Sequence, residues 1–417
     1  MAYIHRIIED EISEKLNASG AILIKGPKYC GKTETAKQFA RSILEVDRDE
    51  QVPIYMQTQP QRLLEGETPR LIDEWQEEPK LWNYVRHEID KRQKRNQFIL
   101  TGSSNPEEST KLHSGAGRFT IAEMNTMSWQ ELGYSSGKIE MSKLLKGETN
   151  DIVDDRLTIE VIAERMVRGG FPAVAGLPIK DAILINQAYV DLLAEVDMSR
   201  VSNVRRTPGK VKLLLKSLSR NVATLVDNST LEKDINSVEN AELSRPTIID
   251  FLEALSRLMI FVEQPPFNPH IRSSASLRKS AKRHLCDVSL PISILGLDTE
   301  AILTDIKFMG FLFETLVFHD IKVYAQANDA KVYHYRDSSG LEVDAIVQKR
   351  NGDYAAFEIK LGIGQIDEAA TNLNKFVSIL DTGKTQVPKS LNVITGTGMS
   401  HTRADGINVI SLASLGK

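Results

Sequence analysis

Residues 26–33 read Gly26-Pro27-Lys28-Tyr29-Cys30-Gly31-Lys32-Thr33 and fit the pattern G-x-x-x-x-G-K-[ST]. Upstream, Ala21–Lys25 is an apolar run read as a strand. Downstream, Ala36, Phe39, Ala40, Ile43 and Leu44 recur at helical spacing within Glu34–Leu44. Strand, glycine-rich turn and helix in that order make a phosphate cradle. The glycines let backbone N–H groups curl around phosphate oxygens, the helix start adds positive potential, and Lys32 reaches the β and γ phosphates. The Thr33 hydroxyl is the expected ligand of Mg²⁺. The loop therefore predicts ATP with Mg²⁺, and Cys30, at a variable position of the loop, reads as a spectator.

Outward from this loop, the first 135 residues alternate short β-type runs with helical ones, the pattern of a parallel sheet with crossover helices. The expected strands are Ala21–Lys25, Ile43–Asp47, Arg70–Asp73, Gln97–Thr101 and Phe119–Glu123. Residues 81–95 form a helix opened by Pro79 and closed by bases, as the helix dipole favours. An amphipathic helix with Ile4, Ile7, Ile8, Ile12 and Leu16 on one side precedes them all. The run ending in Asp73-Glu74 supplies the acidic pair such a site needs. Asp73 would hold Mg²⁺ and Glu74 would polarise the attacking water. The next strand ends in Thr101, Ser103 and Ser104, where a polar side chain can sense the γ-phosphate. Arg118 follows a Gly-Ala-Gly segment and is a candidate arginine finger, acting in its own chain or across a homo-oligomer boundary.

The rest of the chain divides further. Residues 133–155 are polar and glycine-containing, and read as a linker or exposed loop. Residues 156–220 read as helical, interrupted at Gly169–Pro172. Helices at Thr230–Asn236 and Arg245–Met259, then an apolar strand at Leu258–Val262, suggest a winged helix-turn-helix. The expected division is 1–135 for the ATP-binding domain, 136–220 for a helical lid and linker, 221–300 for the winged-helix region and 301–417 for a last α/β domain.

That last domain carries a second chemistry. Lys331–Tyr335 and Leu341–Val347 flank a turn and read as a hairpin. Alternation places Glu342 and Asp344 on one face, with Val343, Ala345 and Val347 on the other. Glu358 and Lys360 share a face in the following strand. Asp344 and Glu358 are thus candidate ligands of one Mg²⁺, with Lys360 orienting water or stabilising phosphate charge. Glu314, amid apolar residues of a helix at Phe308–Val323, needs a partner or a nearby metal.

Two basic segments stand out in a chain of net charge −4, where bulk charge makes no case for nucleic acid. Residues 200–220 hold Arg200, Arg205, Arg206, Lys210, Lys212, Lys216 and Arg220 without one acid. Residues 272–283 add five more bases. Such stripes suggest contact with a DNA backbone. At 41% hydrophobic and 26% charged residues, the composition excludes a disordered or coiled-coil chain. No apolar run is long enough for a membrane helix, the N-terminal stretch has no signal core, and Cys30 and Cys286 lack metal-site spacing; a reducing cytoplasm fits.

In order, GPKYCGKT, LIDEWQ, FILTGSS, GAGRF, MSWQEL and GGFP resemble the AAA-type ATPases of bacteria and archaea that carry a C-terminal nuclease-like domain of unknown function. FMGFLFETLVFHDI, SGLEVDAIV and AAFEIKLG resemble that domain's G-x-x-x-E helix, E-V-D strand and E-x-K strand. The resemblance implies a restriction-endonuclease-like fold, with Glu314, Asp344, Glu358 and Lys360 forming a metal-dependent DNA nuclease site or a pocket that binds DNA without cutting. Two functions follow: an ATPase acting on DNA, or a nucleotide-switched regulatory protein with an inactive nuclease-like domain. DVSL departs from the pattern, with Ser289 where the family suggests glycine.

Overall fold

Helix α1 (Glu9–Ala18) buries Ile12 and Leu16 beneath strand β1 (Ala21–Lys25), as its apolar spacing requires. The computed structural model describes residues 3–102, 114–148, 152–201, 206–238, 242–268, 280–381 and 386–417. It forms two compact units, one chiefly of residues up to Thr126 and the other chiefly of those from Met127 onward.

The first unit continues through α2 (Lys32–Lys37), β2 (Ser42–Glu45), α3 (Val52–Thr58), β3 (Arg70–Asp73), α4 (Leu81–Arg92), β4 (Phe98–Gly102) and β5 (Phe119–Glu123). The five strands are parallel in the order β2-β3-β4-β1-β5. Alternate residues of β1 feed two cores. Ala21 and Leu23 join a cluster with Trp75, Val85 and Phe98, whereas Ile22 and Ile24 join Ile12, Cys30 and Met124. Because β4 lies between β1 and β3, the loops that follow these three strands meet on one edge of the sheet. The helical spacing read to Leu44 overruns: α2 ends at Lys37, and Ile43 and Leu44 belong to β2, where the strand expected at Ile43–Asp47 begins. Strand pairing with β3 overrides the helical spacing.

Further along run β6 (Ile139–Glu140), α5 (Met141–Leu144), α6 (Ile159–Arg168), α7 (Ile179–Leu192), α8 (Met198–Arg200) and α9 (Pro208–Arg220). Residues 133–155 are therefore not simply a linker. Ile139, Met141, Leu144 and Leu145 are buried, and β6 pairs in parallel with β15 (Leu415–Gly416). Helices α10 (Asn228–Asn236) and α11 (Arg245–Arg257) precede an antiparallel hairpin of β7 (Phe261–Gln264) and β8 (Lys282–Leu285). Then come α12 (Ser289–Ile294), α13 (Thr299–Thr304) and the long α14 (Ile306–Gln326).

The remaining strands are β9 (Ala330–Arg336), β10 (Glu342–Lys349), β11 (Tyr354–Lys360), β12 (Leu391–Thr395), β13 (His401–Thr402) and β14 (Asn408–Ser411), with α15 (Ile366–Ser378) after β11. With β15 set apart, they form a six-stranded sheet, β13-β14-β12-β11-β10-β9. Pairing is antiparallel from β9 to β11 and parallel from β11 through β12 to β14. The strict alternation expected along β10 is broken. A bulge between Val343 and Ile346 places one extra residue opposite β9, so both of these residues join the core cluster beside α15. Pro265 and Phe267 flank β9, where His334 N–H donates to Pro265 O (3.0 Å) and Phe267 N–H to His334 O (2.5 Å).

Candidate functional site

The glycine-rich loop leaves β1 at Gly26, where a side chain has no room: a Cβ would lie 2.3 Å from the Met124 carbonyl oxygen. Gly31 takes φ +100°, a left-handed turn open to glycine, and so starts α2 at Lys32. The Lys32 ammonium is buried and donates to the carbonyls of Gly26 (3.0 Å) and Pro27 (2.9 Å). Cys30 points into the core under the loop, whereas Tyr29 is exposed. Buried Arg6 braces the loop from α1's side, donating to Cys30 O (2.7 Å) and Asn125 O (2.8 Å). No motif marks that brace, which is why the sequence did not disclose it.

Across the edge, Thr33 Oγ1 donates to Asp73 Oδ1 at 2.8 Å, and Thr101 Oγ1 donates to the same oxygen. Sequence positions 32–33, 73–74 and 101 thus come together at the ends of β1, β3 and β4. Glu74 stands in a left-handed turn (φ +52°) and accepts from Gln76 Nε2. Burial raises its carboxyl above the ordinary range, against the lowering influence of Gln76 and Lys32. Hard oxygen donors from Thr33 and Asp73 suit Mg²⁺, so the residues present fit that ion.

Arg118 is placed differently. Its backbone carbonyl accepts Ala21 N–H at the start of β1, so it lies at the sheet edge opposite the loop, roughly 16 Å away at about 3.3 Å per residue. Its guanidinium forks onto Asp90 at 2.8 and 3.2 Å. Within its own chain Arg118 does not approach the phosphate loop. Ser103 and Ser104 lie outside the described residues.

The carboxylates of the second unit also meet, around a lysine that was read as part of a basic segment. Lys282 on β8 is 2% exposed, and its ammonium lies 2.7 Å from Glu314 Oε1, 2.6 Å from Glu342 Oε1 and 3.2 Å from Asp344 Oδ1. Asp344 Oδ2 accepts the Ile359 N–H (2.9 Å) and Lys360 Nζ (3.3 Å). Glu358 takes Lys360 Nζ at 2.7 Å and Asn372 Nδ2 at 2.7 Å. Burial would lift Asp344, but Lys282 and Lys360 hold it well below the ordinary carboxylate range. Burial, with Asp344 alongside, pushes Glu358 up to about 8. Lys282, which burial alone would neutralise, is held charged by Glu314, Asp344 and Glu342.

These residues do not fit a shared Mg²⁺. Two ammonium groups, Lys282 and Lys360, already stand between these carboxylates, and among the described residues no His, Cys, Asp and Glu group is arranged to hold a metal ion. Asp344, Glu358, Lys360 and Glu314 lie together, linked through Lys282 and Lys360. Lys282 and Asn372 were the residues missed.

Residues 18–133 match the family described as AAA domain. They form a P-loop ATPase domain of the AAA type. Residues 159–301 and 309–415 match two domains of unknown function, DUF8612 and DUF4143. No curated protein matches the chain. Among solved structures, the Walker-type ATPase PABY2304 of Pyrococcus abyssi is similar at 12% identity and a TM-score of 0.41, over 69% of this chain and 94% of that one. ORC1 of Aeropyrum pernix, solved in complex with DNA, is similar at 13% identity and a TM-score of 0.28, over 70% and 92%. RuvB of Thermotoga maritima is similar at 15% identity and a TM-score of 0.25, over 62% and 89%. No helix among the described residues is long and apolar enough to cross a membrane.

Outside the AAA domain, the basic stripe at 200–220 is largely answered by acids. Arg206 is buried and forks onto Asp250 at 2.8 and 2.9 Å. Lys212 pairs with Asp191 and Glu195, and Arg220 with Asp234. Arg200, Lys210 and Lys216 are exposed, while Arg205 and residues 272–279 lie outside the described residues. In the segment 272–283, Lys282 faces the carboxylates and Arg283 donates to Asn228. The GGFP motif is structural: Gly170 N–H donates to Asp287 Oδ2 (2.9 Å), and Ser289 binds Asp287 Oδ1 through both N–H and hydroxyl.

Proposed function

We propose that the chain binds ATP with Mg²⁺, hydrolyses the ATP, and acts as a nucleotide-switched regulatory protein whose C-terminal pocket does no metal-dependent cutting. The observation that carries the reading is the meeting of Lys32, Thr33, Asp73, Glu74 and Thr101 on one edge of the AAA sheet. Lys32 is held only by neutral carbonyls, which a phosphate can outcompete. Loop N–H groups of residues 28–33 bind the β and γ phosphates, and Glu74 accepts the proton of the attacking water. Thr33 and Asp73 would hold Mg²⁺, which supplies charge neutralisation at the phosphate oxygens. Arg118 acts, in this reading, on the nucleotide of an adjacent copy in a homo-oligomer. Ser103 remains the proposed γ-phosphate sensor. We keep the working division into ATP-binding domain (1–135), helical lid (136–220), winged-helix region (221–300) and restriction-endonuclease-like domain (301–417).

The decisive test pairs two variants. Lys32→Ala should abolish ATP binding, and Glu74→Gln should bind ATP but not turn it over. Unchanged turnover in both sinks the assignment. A second reading, an ATPase acting on DNA, is favoured by exposed Lys210 and Lys216 on α9 and by exposed Arg200 at the end of α8. ATP turnover that rises with single-stranded, duplex or branched DNA would select it over the protein-partner reading.

A further inference from the structure

An ammonium has three N–H donors, and Lys282 meets three carboxylates, one each from α14 (Glu314) and two positions of β10 (Glu342 and Asp344). The match is complete, and it is buried. A divalent ion seated among Glu314, Glu342 and Asp344 would need these oxygens at about 2.0–2.6 Å, the place the Lys282 ammonium fills. The neighbouring oxygens are engaged too. Asp344 Oδ2 takes a backbone N–H and Lys360, and Glu358 takes Lys360 and Asn372. The bulge in β10 begins at Val343, so Asp344 is turned out of the regular ladder at the point where Lys282 enters.

We propose that Lys282 is the built-in cation of this pocket: it excludes Mg²⁺ and Mn²⁺, and it fastens the β7–β8 hairpin to the C-terminal sheet. The hairpin's other strand fastens at the same place, since Gln264 Nε2 donates to Asp344 O (2.8 Å) and Tyr333 O (3.0 Å). His284, two residues beyond Lys282, adds a buried contact through Gln264 Oε1 and Thr315 Oγ1, each at 3.2 Å. A charged lysine so buried is retained where its partners are fixed, because an unpaired carboxylate triad would be costly. The inference sharpens the non-cutting half of the functional reading and is independent of the ATP site.

Mn²⁺ binding by calorimetry on the full chain, without nucleotide, tests it. Wild type and Asp344→Asn should bind Mn²⁺ alike. Lys282→Ala should gain one Mn²⁺ per chain, and adding Asp344→Asn should remove it. A wild-type Mn²⁺ site that disappears in Asp344→Asn overturns the proposal, as does a folded Lys282→Ala chain that gains none. Should Lys282→Ala not fold, the wild-type and Asp344→Asn pair still decides, and Lys282→Met with Glu314→Gln lowers the charge imbalance for the gain-of-metal arm. ATP turnover on the same samples separates the two claims: Lys282→Ala leaves turnover intact, so its loss there counts against the independence of the two sites, not against the ATPase reading.

Discussion

Two buried lysines, one opening helix α2 and one opening strand β8, are held in opposite ways. Lys32 rests on the neutral carbonyls of Gly26 and Pro27, whereas Lys282 rests on the carboxylates of Glu314, Glu342 and Asp344. Carbonyls satisfy an ammonium's hydrogen bonds without cancelling its charge, so Lys32 stays available to an anion. Carboxylates cancel the charge, so Lys282 is spent on holding the fold. Identical side chains thus keep or spend their charge according to the acceptor alone.

The comparison is sharpest in stability. Lys282→Met should cost about 3–5 kcal/mol, because it leaves buried carboxylates uncompensated. Lys32→Met should cost only about 1 kcal/mol, the value of ordinary hydrogen bonds, while losing ATP. Denaturant unfolding of both variants checks this, and equal losses would erase the distinction.

Arg118→Ala comes next. If this arginine serves an adjacent copy, kcat should fall about 10³-fold or more with ATP affinity little changed. Mixing with Lys32→Ala should restore turnover. Because the Arg118–Asp90 pair is exposed and screened by solvent, its loss should leave stability nearly unchanged. A wild-type rate for the lone variant would return Arg118 to a purely local role.

A smaller effect concerns pH. Glu358, pushed up to about 8, carries a proton in the folded chain that the unfolded chain releases near the ordinary value of about 4.3. Its contribution is therefore full at low pH and is lost as pH rises from about 4 to 8, by at most about 1.4 kcal/mol per pH unit. Asp344 runs the other way: its contribution is present above its ordinary value and is lost as pH falls through the acid range. Unfolding of wild type and Glu358→Gln across this span should show the alkaline slope only in wild type.

The smallest expected change is at Lys210 and Lys216. If α9 contacts DNA, neutralising each should reduce the salt slope of binding by about one. Affinity indifferent to both would confine the bases of α9 to solvating the second unit.

The AAA sheet was largely legible because each strand is a short apolar run bounded by turns, and the loop between β1 and α2 has fixed spacing. Ile43 and Leu44 fitted both the helix end and the strand at Ile43–Asp47, because a four-residue strand leaves no period long enough to tell the two apart. Glu358 and Lys360 share a site, as a period of two demands. The bulge in β10 escaped notice since nothing in Val343–Ile346 announces an extra residue. Lys282 was hidden for another reason. It lies in a run of bases, and charge counting registers sign without registering which acids, 32 and more residues away, will answer it.

The pairing of Pro265 and Phe267 with His334 has a bearing on solubility. Strand β9 is an outer strand of the six-stranded sheet, and such a strand offers unpaired N–H and C=O groups to any other chain. Two prolines in sequence shield that rim, since neither can extend a ladder to a newcomer. The shield belongs to the connection between the two strands of the Lys282 hairpin. Loosening that hairpin should therefore expose a template for self-association, and a destabilised variant would be lost first to aggregates rather than to a soluble unfolded form.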